Sequence, residues 1–132
     1  MDYKISLIKY LYYFSLIGLL VLYFFPGSIL GYFFYKDFSQ QPDLFPNPLG
    51  ISINHLLAFS YLSLICLIRS GNNISFNRNV FFLIALSILT ELSHIIIPQR
   101  SFEYFDLFAN LLGTSIAIIV VFFYKRRRYG KV

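Results

Sequence analysis

Residues 104–124 read YFDLFANLLGTSIAIIVVFFY, and the basic run Lys125-Arg126-Arg127-Arg128 follows them directly. A helix needs about 17–25 apolar residues to cross a hydrocarbon core of about 30 Å, and this stretch has that length. A basic run after such a stretch is typical of the end of a membrane span, because lysine and arginine stay outside the hydrocarbon. The stretch therefore predicts a transmembrane helix over about 104–124.

Three further stretches share this length and apolar character. They cover about 5–25, 51–68 and 80–97. A backbone in hydrocarbon must satisfy its own hydrogen bonds, so a span is either a helix or part of a closed barrel. The period-2 alternation of barrel strands is absent. We therefore predict an all-α membrane protein, with four transmembrane helices in a small bundle that forms one domain over residues 1–132.

The composition agrees with a membrane location. Apolar residues make up 58% of the 132 residues and charged residues 13%, whereas soluble domains have about 45–50% and about 25%. With 16 Phe and 11 Tyr beside so few charges, a water-soluble surface cannot be built. The composition excludes an ordinary cytosolic enzyme and a disordered tail, and the length allows one domain.

The basic residues predict the orientation of the bundle. Lysine and arginine are enriched in the cytoplasmic loops of membrane proteins. Of the eleven in this chain, only Lys36 and Arg100 fall on one side, so we expect both termini in the cytoplasm of a multi-pass protein of the cytoplasmic (inner) membrane. Short basic clusters between apolar runs do not indicate a nucleic-acid partner. The residues on the cytoplasmic side are Lys4, Lys9, Arg69, Arg78, Lys125, Arg126, Arg127, Arg128 and Lys131.

The loop over 26–50 lies on the outer side in this orientation. It contains four of the five prolines, which exclude a continuous helix across it. It also contains the aromatic run 32–35, and tyrosine is enriched at the level of the lipid head groups. We expect a segment along the outer membrane surface, either a plain interfacial anchor or a lid that contacts lipid.

Polar residues interrupt three of the apolar stretches at one depth. At a rise of 1.5 Å per residue, Glu91 lies about 10 Å below Pro98, and His55 and Asn110 lie about 6 Å and about 9 Å below the starts of their helices. Because neighbouring helices alternate in direction, all of these positions fall in the outer half of the membrane. We expect them to meet there. The full set is Asn54, His55, Glu91, His94, Asp106 and Asn110, with Arg100 in the connecting loop.

A buried carboxylate needs a partner in this environment. It costs about 2.5–3.5 kcal/mol near the middle of a membrane, so Glu91 and Asp106 should face the bundle interior. A guanidinium binds a carboxylate bidentately, and we expect Arg100 to bridge to Asp106 or Glu91. Small residues let helices approach closely, and a small face on the last helix is expected from Ala109, Gly113 and Ala117.

The chemistry of these polar residues stays open between four interpretations. Glu91-x-x-His94 matches half of a di-iron pattern, which His55 and Asp106 would have to complete, but the pattern occurs once, so we expect no metal and no cofactor. General acid–base catalysis is chemically possible, although no Ser or Cys nucleophile is visibly placed. Interhelical polar contacts alone are the third interpretation, and a pocket for an anionic head group is the fourth.

The polar residues of the last two helices resemble the signature of the VanZ-like membrane proteins. That family has Glu-x-x-Gln, then Arg, then Asp-x-x-x-Asn-x-x-Gly at the start of the last helix. His55 and the residues after it resemble the family's His-containing second helix. The resemblance covers about residues 51–124. The matching positions are Glu91, His94, Arg100, Asp106, Asn110 and Gly113.

The resemblance implies a small polytopic protein of a bacterial cytoplasmic membrane. The founding member of the family is linked to resistance to the glycopeptide teicoplanin, and no biochemical activity is established for most members. This chain departs from the pattern at three positions. Ile51 and Ser52 stand where the family has Asp-Lys, and His94 stands where it has Gln. If the Asp-Lys pair supports an activity, the chain lacks that activity.

Two functions follow as expectations. The first is a VanZ-like cell-envelope protein with a polar pocket at the outer leaflet, where Arg100 holds the anionic head group of a lipid or envelope precursor. The second is a non-enzymatic accessory subunit whose aromatic faces pack against a larger membrane protein complex. The residues expected to line the pocket are His55, Glu91, His94, Arg100, Asp106 and Asn110.

Overall fold

The computed structural model of the chain describes residues 2–42 and 52–129. These residues form five helices and no strand, which confirms the all-α prediction for the described part of the chain. The five helices are α1 (Asp2–Phe24), α2 (Ile29–Tyr35), α3 (Ile53–Ile68), α4 (Asn73–Ser93) and α5 (Tyr104–Tyr129).

Three of these helices are long and apolar enough to cross a membrane. The candidate spans are Leu7–Phe24 in α1, Asn73–Ser93 in α4 and Tyr104–Arg128 in α5. The prediction of an all-helical chain with long apolar helices is thus confirmed in this coarser form, and it is consistent with a membrane protein. With 16 residues, α3 is a shorter apolar helix, and the fourth span stays a prediction.

α4 is displaced along the chain from the predicted span at 80–97. It begins seven residues earlier, because the Asn72 side chain accepts a hydrogen bond from the backbone N–H of Ser75 and caps the helix. It ends four residues earlier, where the N–H of His94 turns back to the carbonyl of Glu91. The chain then runs through tight turns to α5.

α5 is longer than its predicted apolar stretch. The helix continues through the basic run as far as Tyr129, because lysine and arginine are good helix formers. Positive charge is also favourable near a helix C-terminus. The basic residues therefore form the last turns of the helix.

The loop after α1 contains a short helix of its own. In α2, the Ser28 hydroxyl accepts a hydrogen bond from the N–H of Gly31 at 2.9 Å, and Lys36 ends the helix in the left-handed conformation. The aromatic run 32–35 lies on this helix and is exposed. The rest of the predicted surface segment, from residue 43 to residue 51, lies outside the described residues.

α3 and α5 form the most extensive helix pair, and α3 also packs against α1 and α4. The approach of α5 to α3 is closest at Gly113, where a Cβ atom would lie only 2.4 Å from the carbonyl oxygen of Leu56. Ala109 and Ala117 are fully buried beside it. The small residues of α5 thus let the two backbones come together.

Hydroxyl groups connect three helices lower in the bundle. Ser63 on α3 donates to Thr114 on α5 at 3.3 Å, and Thr114 also contacts the hydroxyl of Ser87 on α4 at 2.9 Å. All three residues are fully buried. Such hydrogen bonds contribute about 0.6–2 kcal/mol each between membrane helices, so they position α3, α4 and α5 below the polar end of the bundle.

Candidate functional site

A cluster of polar side chains occupies the end of the bundle where α1 and α4 end and α3 and α5 begin. Four helices contribute to it, and five of its six members are buried, Asp106 being partly buried. We call this group the polar cluster. Its members are Tyr23, His55, Glu91, His94, Asp106 and Asn110.

Tyr23 of α1 stands at the centre of the polar cluster. Its hydroxyl donates to Oδ1 of Asn110 at 2.9 Å and lies 2.9 Å from Nδ1 of His55. A phenol has one proton, so the hydroxyl that donates to Asn110 accepts from His55. The Tyr23 ring also stacks on His94, with ring centroids 5.4 Å apart and planes 16° apart. The end of α1 is thereby joined to α3, α4 and α5.

Glu91 is fully buried, and only one of its two carboxylate oxygens has a hydrogen-bond partner. Its Oε1 accepts a hydrogen bond from the backbone N–H of Glu103 at 3.1 Å and lies 3.3 Å from Nδ1 of His94. Its Oε2 lies 4.0 Å from Nδ1 of His55 and has no hydrogen-bond partner. A buried polar atom without a partner is uncommon and costs free energy, so this oxygen marks a place where a ligand, a proton or a water belongs.

Asp106 approaches the other nitrogen of the same imidazole. Its Oδ2 lies 3.5 Å from Nε2 of His55, and its side chain is 16% exposed. The side-chain amide nitrogen of Gln41 is 3.3 Å from the same Nε2. His55 is therefore surrounded by polar groups on both ring nitrogens.

Arg100 does not make the predicted bridge to Asp106 or Glu91. Its guanidinium donates to the carbonyl oxygens of Leu22 at 2.7 Å and Phe25 at 3.5 Å, at the end of α1. The last carbonyls of a helix lack intrahelical partners and carry partial negative charge, which attracts a cation. The prediction of a direct ion pair was wrong for this reason.

The Arg100 side chain is half-buried and keeps its charge without a carboxylate partner. Among the described residues no carboxylate lies within 4.0 Å of its guanidinium, whose third contact is Oε1 of Gln41 at 2.9 Å. Burial lowers the pKa of Arg100 from its usual value. The charged group is therefore only partly hydrated and is available to an anion.

A cavity of about 260 Å³ opens beside the polar cluster. Arg100, His94 and His55 line one part of it, and apolar residues of α1, α2 and α3 line the rest. Oδ1 of Asn54, which also lines the cavity, is buried without a hydrogen-bond partner. The cavity thus combines an apolar wall with a small number of polar groups, as ligand pockets do.

A smaller cavity of about 140 Å³ lies on the other side of Arg100. Asp106, His94 and Ser28 line part of it, together with residues of the turn before α5. The two cavities therefore share the Arg100 and His94 side chains. They give the polar cluster access to the end of the bundle.

The structure brings five of the six predicted site residues into the polar cluster and places Arg100 at its edge. Sequence reasoning missed Tyr23 and Gln41. Tyr23 was counted only as one of the 11 tyrosines in the composition. The signal in the sequence was that Tyr23 lies at the same depth as His55, where a buried hydroxyl needs a hydrogen-bond partner. Gln41 lies in the proline-rich loop, where no periodic pattern places it.

Comparison with family models, curated proteins and solved structures found no match to this chain. The resemblance to the VanZ-like proteins, and every function that it implies, therefore stays a prediction. The geometry of the polar cluster and its cavities is what supports a functional proposal.

The arrangement also fits a metal ion, although the sequence did not favour one. His55, Glu91 and Asp106 each offer one ligand atom, and these three atoms lie within 4.8 Å of one another. His94 is not part of this group, although Glu-x-x-His on α4 was the pattern that first suggested a metal. The three candidate ligands come from three different helices.

Changing Tyr23 to Phe should destabilise the protein by about 1–2 kcal/mol, because His55 and Asn110 each lose a buried hydrogen-bond partner. The free energy of unfolding in detergent, followed by helicity, measures this effect. Changing Tyr10 to Phe is the matched control, since Tyr10 lies on the same helix and is 68% exposed. Equal stability of the Tyr23 variant and the control would contradict the central position of the Tyr23 hydroxyl.

Proposed function

We propose that the chain is a four-span protein of the cytoplasmic membrane. α3 reaches about 24 Å at 1.5 Å per residue, and it packs against all three candidate spans. Its first turn contacts α1 through His55 and Tyr23, and its end contacts α1 through Arg69, 4.6 Å above the Tyr12 ring. A helix that packs along its length against candidate spanning helices shares their environment.

In this proposal both termini are cytoplasmic and the polar cluster lies in the outer half of the membrane. Arg69 and Lys125 lie at the end of the bundle opposite the polar cluster, where Lys125 donates to the carbonyl of Ser70. Lys36 and Arg100 lie at the end of the polar cluster. The excess of basic residues at the opposite end supports a cytoplasmic position for that end.

The function that the geometry supports best is binding of an amphipathic lipid, or of a lipid-linked envelope precursor, through its anionic head group. The observation that carries this proposal is the Arg100 guanidinium in the wall of a largely apolar cavity. Helix-end carbonyls and an amide orient it, and no described carboxylate lies within 4.0 Å of it. Arginine binds phosphate and carboxylate groups bidentately, and an anion in the cavity would complete its contacts.

A groove between α1 and α3 supports a lipid as the ligand. It has a volume of about 380 Å³ and shares Leu22, Tyr23 and Ala58 with the cavity beside the polar cluster. Its walls are otherwise almost entirely apolar and reach down α1 to Leu11. A head group at Arg100 therefore has an apolar channel beside it for an acyl chain.

This proposal includes the VanZ-like resemblance as its family assignment. In it, the protein acts in the cell envelope by holding a lipid, and the polar cluster positions the wall of the pocket. His94 contributes an imidazole to the cavity wall, and its Nε2 is buried without a hydrogen-bond partner. In its protonated form this imidazole can donate a hydrogen bond to a phosphate. Catalysis is not part of the proposal.

Changing Arg100 to Ala should lower the affinity for an anionic lipid at least about 10-fold, which corresponds to about 1.4 kcal/mol. The wild-type protein, purified in a mild detergent, is titrated with phosphatidylglycerol and with phosphatidylcholine, and lipid binding is read by native mass spectrometry. We expect the wild type to prefer the anionic lipid and the variant to lose that preference.

Changing Lys36 to Ala provides the control, because this exposed lysine carries the same charge near the same end of the bundle and does not line the cavity. The Lys36 variant should bind as the wild type does. Equal loss in both variants would mean general attraction to the lipid surface and would overturn the pocket. A stoichiometric protein partner in place of lipid would instead support an accessory subunit of a larger complex.

A further inference from the structure

The hydrogen bonds around His55 determine which of its ring nitrogens carries the proton. The Tyr23 hydroxyl donates its only proton to Oδ1 of Asn110, so it must accept from Nδ1–H of His55 at 2.9 Å. Nε2 of a neutral His55 is then unprotonated. Its lone pair points away from Tyr23 toward Asp106 and Gln41.

The contact of Nε2 with Gln41 agrees with this assignment. Arg100 donates to Oε1 of Gln41 at 2.9 Å, so the amide nitrogen of Gln41 is the atom that faces His55, at 3.3 Å. An amide nitrogen is a donor, and it meets the free lone pair of Nε2. The contacts made by Tyr23, Gln41 and Arg100 thus all agree with a His55 that carries its proton on Nδ1.

With this tautomer, the contact between His55 and Asp106 joins two acceptors. The unprotonated Nε2 and Oδ2 of Asp106 are 3.5 Å apart. An imidazole lone pair and a carboxylate repel each other unless a proton or a cation lies between them. Oε2 of Glu91 is fully buried without a hydrogen-bond partner and lies 4.0 Å from Nδ1, on the Tyr23 side of the imidazole. This second buried acceptor also lacks a proton or a cation as its partner. The site has several electron pairs and no described cation in contact with them.

We infer that His55, Glu91 and Asp106 bind a divalent transition-metal ion. One ligand atom from each lies within 4.8 Å of the other two, whereas ligand atoms around a tetrahedral zinc ion are about 3.3 Å apart. Nε2 of His55 and Oδ2 of Asp106, 3.5 Å apart, are already close to that separation, and rotation of the Glu91 side chain would bring in the third ligand. This inference does not depend on the proposed lipid function.

The ligand types indicate the class of ion. One imidazole with two carboxylates suits zinc or manganese better than copper(I), which prefers sulfur, or calcium, which prefers six to eight oxygens. Two carboxylates balance the charge of a divalent ion in a buried site. Three protein ligands leave one position open, as in catalytic zinc sites. Asp106 also lines the smaller cavity of about 140 Å³, which gives an ion a route to the site.

The surroundings of the three ligands resemble the outer contacts of metal sites. Metal-binding histidines donate their second ring N–H to a fixed acceptor, and ligand carboxylates accept additional hydrogen bonds. Here the Tyr23 hydroxyl accepts from His55, and the backbone N–H of Glu103 donates to Oε1 of Glu91. Arg100 is engaged by carbonyls at the end of α1, so its charge does not take the place of the ion.

The test is zinc binding by the full-length protein in detergent. The protein is stripped with a chelator, its metal content is verified by mass spectrometry, and Zn²⁺ is titrated calorimetrically. We expect one Zn²⁺ per chain, and about 100-fold weaker binding in Asp106→Asn and in His55→Gln, because loss of an outer contact alone costs 10–100-fold. The control is Asp37→Asn, which removes a carboxylate that is hydrogen-bonded to Ser39 outside the polar cluster and should bind as the wild type does.

A ligand-conserving variant separates metal binding from folding. Asp106→His keeps a zinc ligand at the half-buried position and should recover most of the affinity that Asp106→Asn loses. Wild-type protein that binds no Zn²⁺ or Mn²⁺ would overturn the inference in favour of a proton shared between His55 and Asp106. Equal affinity of the wild type and Asp106→Asn would overturn it in favour of adventitious surface binding. Neither result would affect lipid binding at Arg100.

Discussion

Replacing Phe59 by alanine should lower the free energy of unfolding by about 3 kcal/mol and loosen the polar cluster. Phe59 is fully buried on α3, and its ring packs edge-on against Tyr23 with centroids 5.7 Å apart. In a membrane, the free energy of transferring the ring from lipid into the protein is small, because lipid is as apolar as the protein interior. Removing the ring therefore costs little through this transfer free energy. A cavity of roughly 100 Å³ at about 24 cal/mol per Å³ nevertheless costs about 2.4 kcal/mol, and the lost aromatic pair adds about 0.5–1.5 kcal/mol.

The comparison variant for Phe59 is Phe81→Ala. Phe81 lies on α4 and is 76% exposed, so its removal leaves no cavity and should change stability by less than about 0.5 kcal/mol. Both free energies are measured by detergent-denaturant titration with helicity as the readout. A Phe59 variant as stable as the Phe81 variant would mean that α3 does not lie in the core described above.

Adding a single methyl group at Gly113 should destabilise the protein by about 2–3 kcal/mol. In Gly113→Ala the new Cβ atom would lie 2.4 Å from the carbonyl oxygen of Leu56 and 3.0 Å from the backbone nitrogen of Ser60. Both atoms belong to the backbone of α3, so the clash is relieved only if α3 and α5 move apart. Overpacking of this kind costs about 1–3 kcal/mol, and it separates His55 from Asn110 and Asp106 as well.

Gly18→Ala makes the same chemical change where nothing lies within 4 Å of the new atom. Alanine is favoured over glycine in a helix by about 1 kcal/mol, so this variant should be equally stable or slightly more stable. The two substitutions therefore differ in sign, which unfolding titrations detect readily. Similar losses in both would show that the cost of Gly113→Ala does not come from the contact of α3 with α5.

Much of the fold was predictable because a bilayer imposes local rules. The predicted stretches at 5–25, 51–68 and 104–124 each coincide with most of one helix of the structure, since length and apolar content alone decide whether a helix can span. The stretch at 80–97 was misplaced, because its apolar window ignored the Asn72 cap and the turn at His94. Caps and turns act through single hydrogen bonds, which average hydropathy does not register.

The members of the polar cluster were predictable in part, and their contacts were not. Depth along each helix showed that His55, Glu91 and Asn110 share one level, because helical rise is constant. Depth gives no information about rotation around the helix axis. The partner of Arg100 was therefore predicted wrongly, and the central position of Tyr23 was missed.

The sequence by itself determined that the described chain is helical, that it contains helices long and apolar enough to span a membrane, and which polar residues would be too costly to place against lipid. Those properties follow from the order of apolar and polar residues along the chain. Hydrocarbon excludes charges and backbone groups without hydrogen bonds wherever they occur. Only the tertiary structure decided which groups meet. The close approach of α5 to α3 at Gly113 sets the rotation of both helices. That rotation turns His55 toward two carboxylates, and the unpaired carbonyls at the end of α1 hold Arg100 away from them.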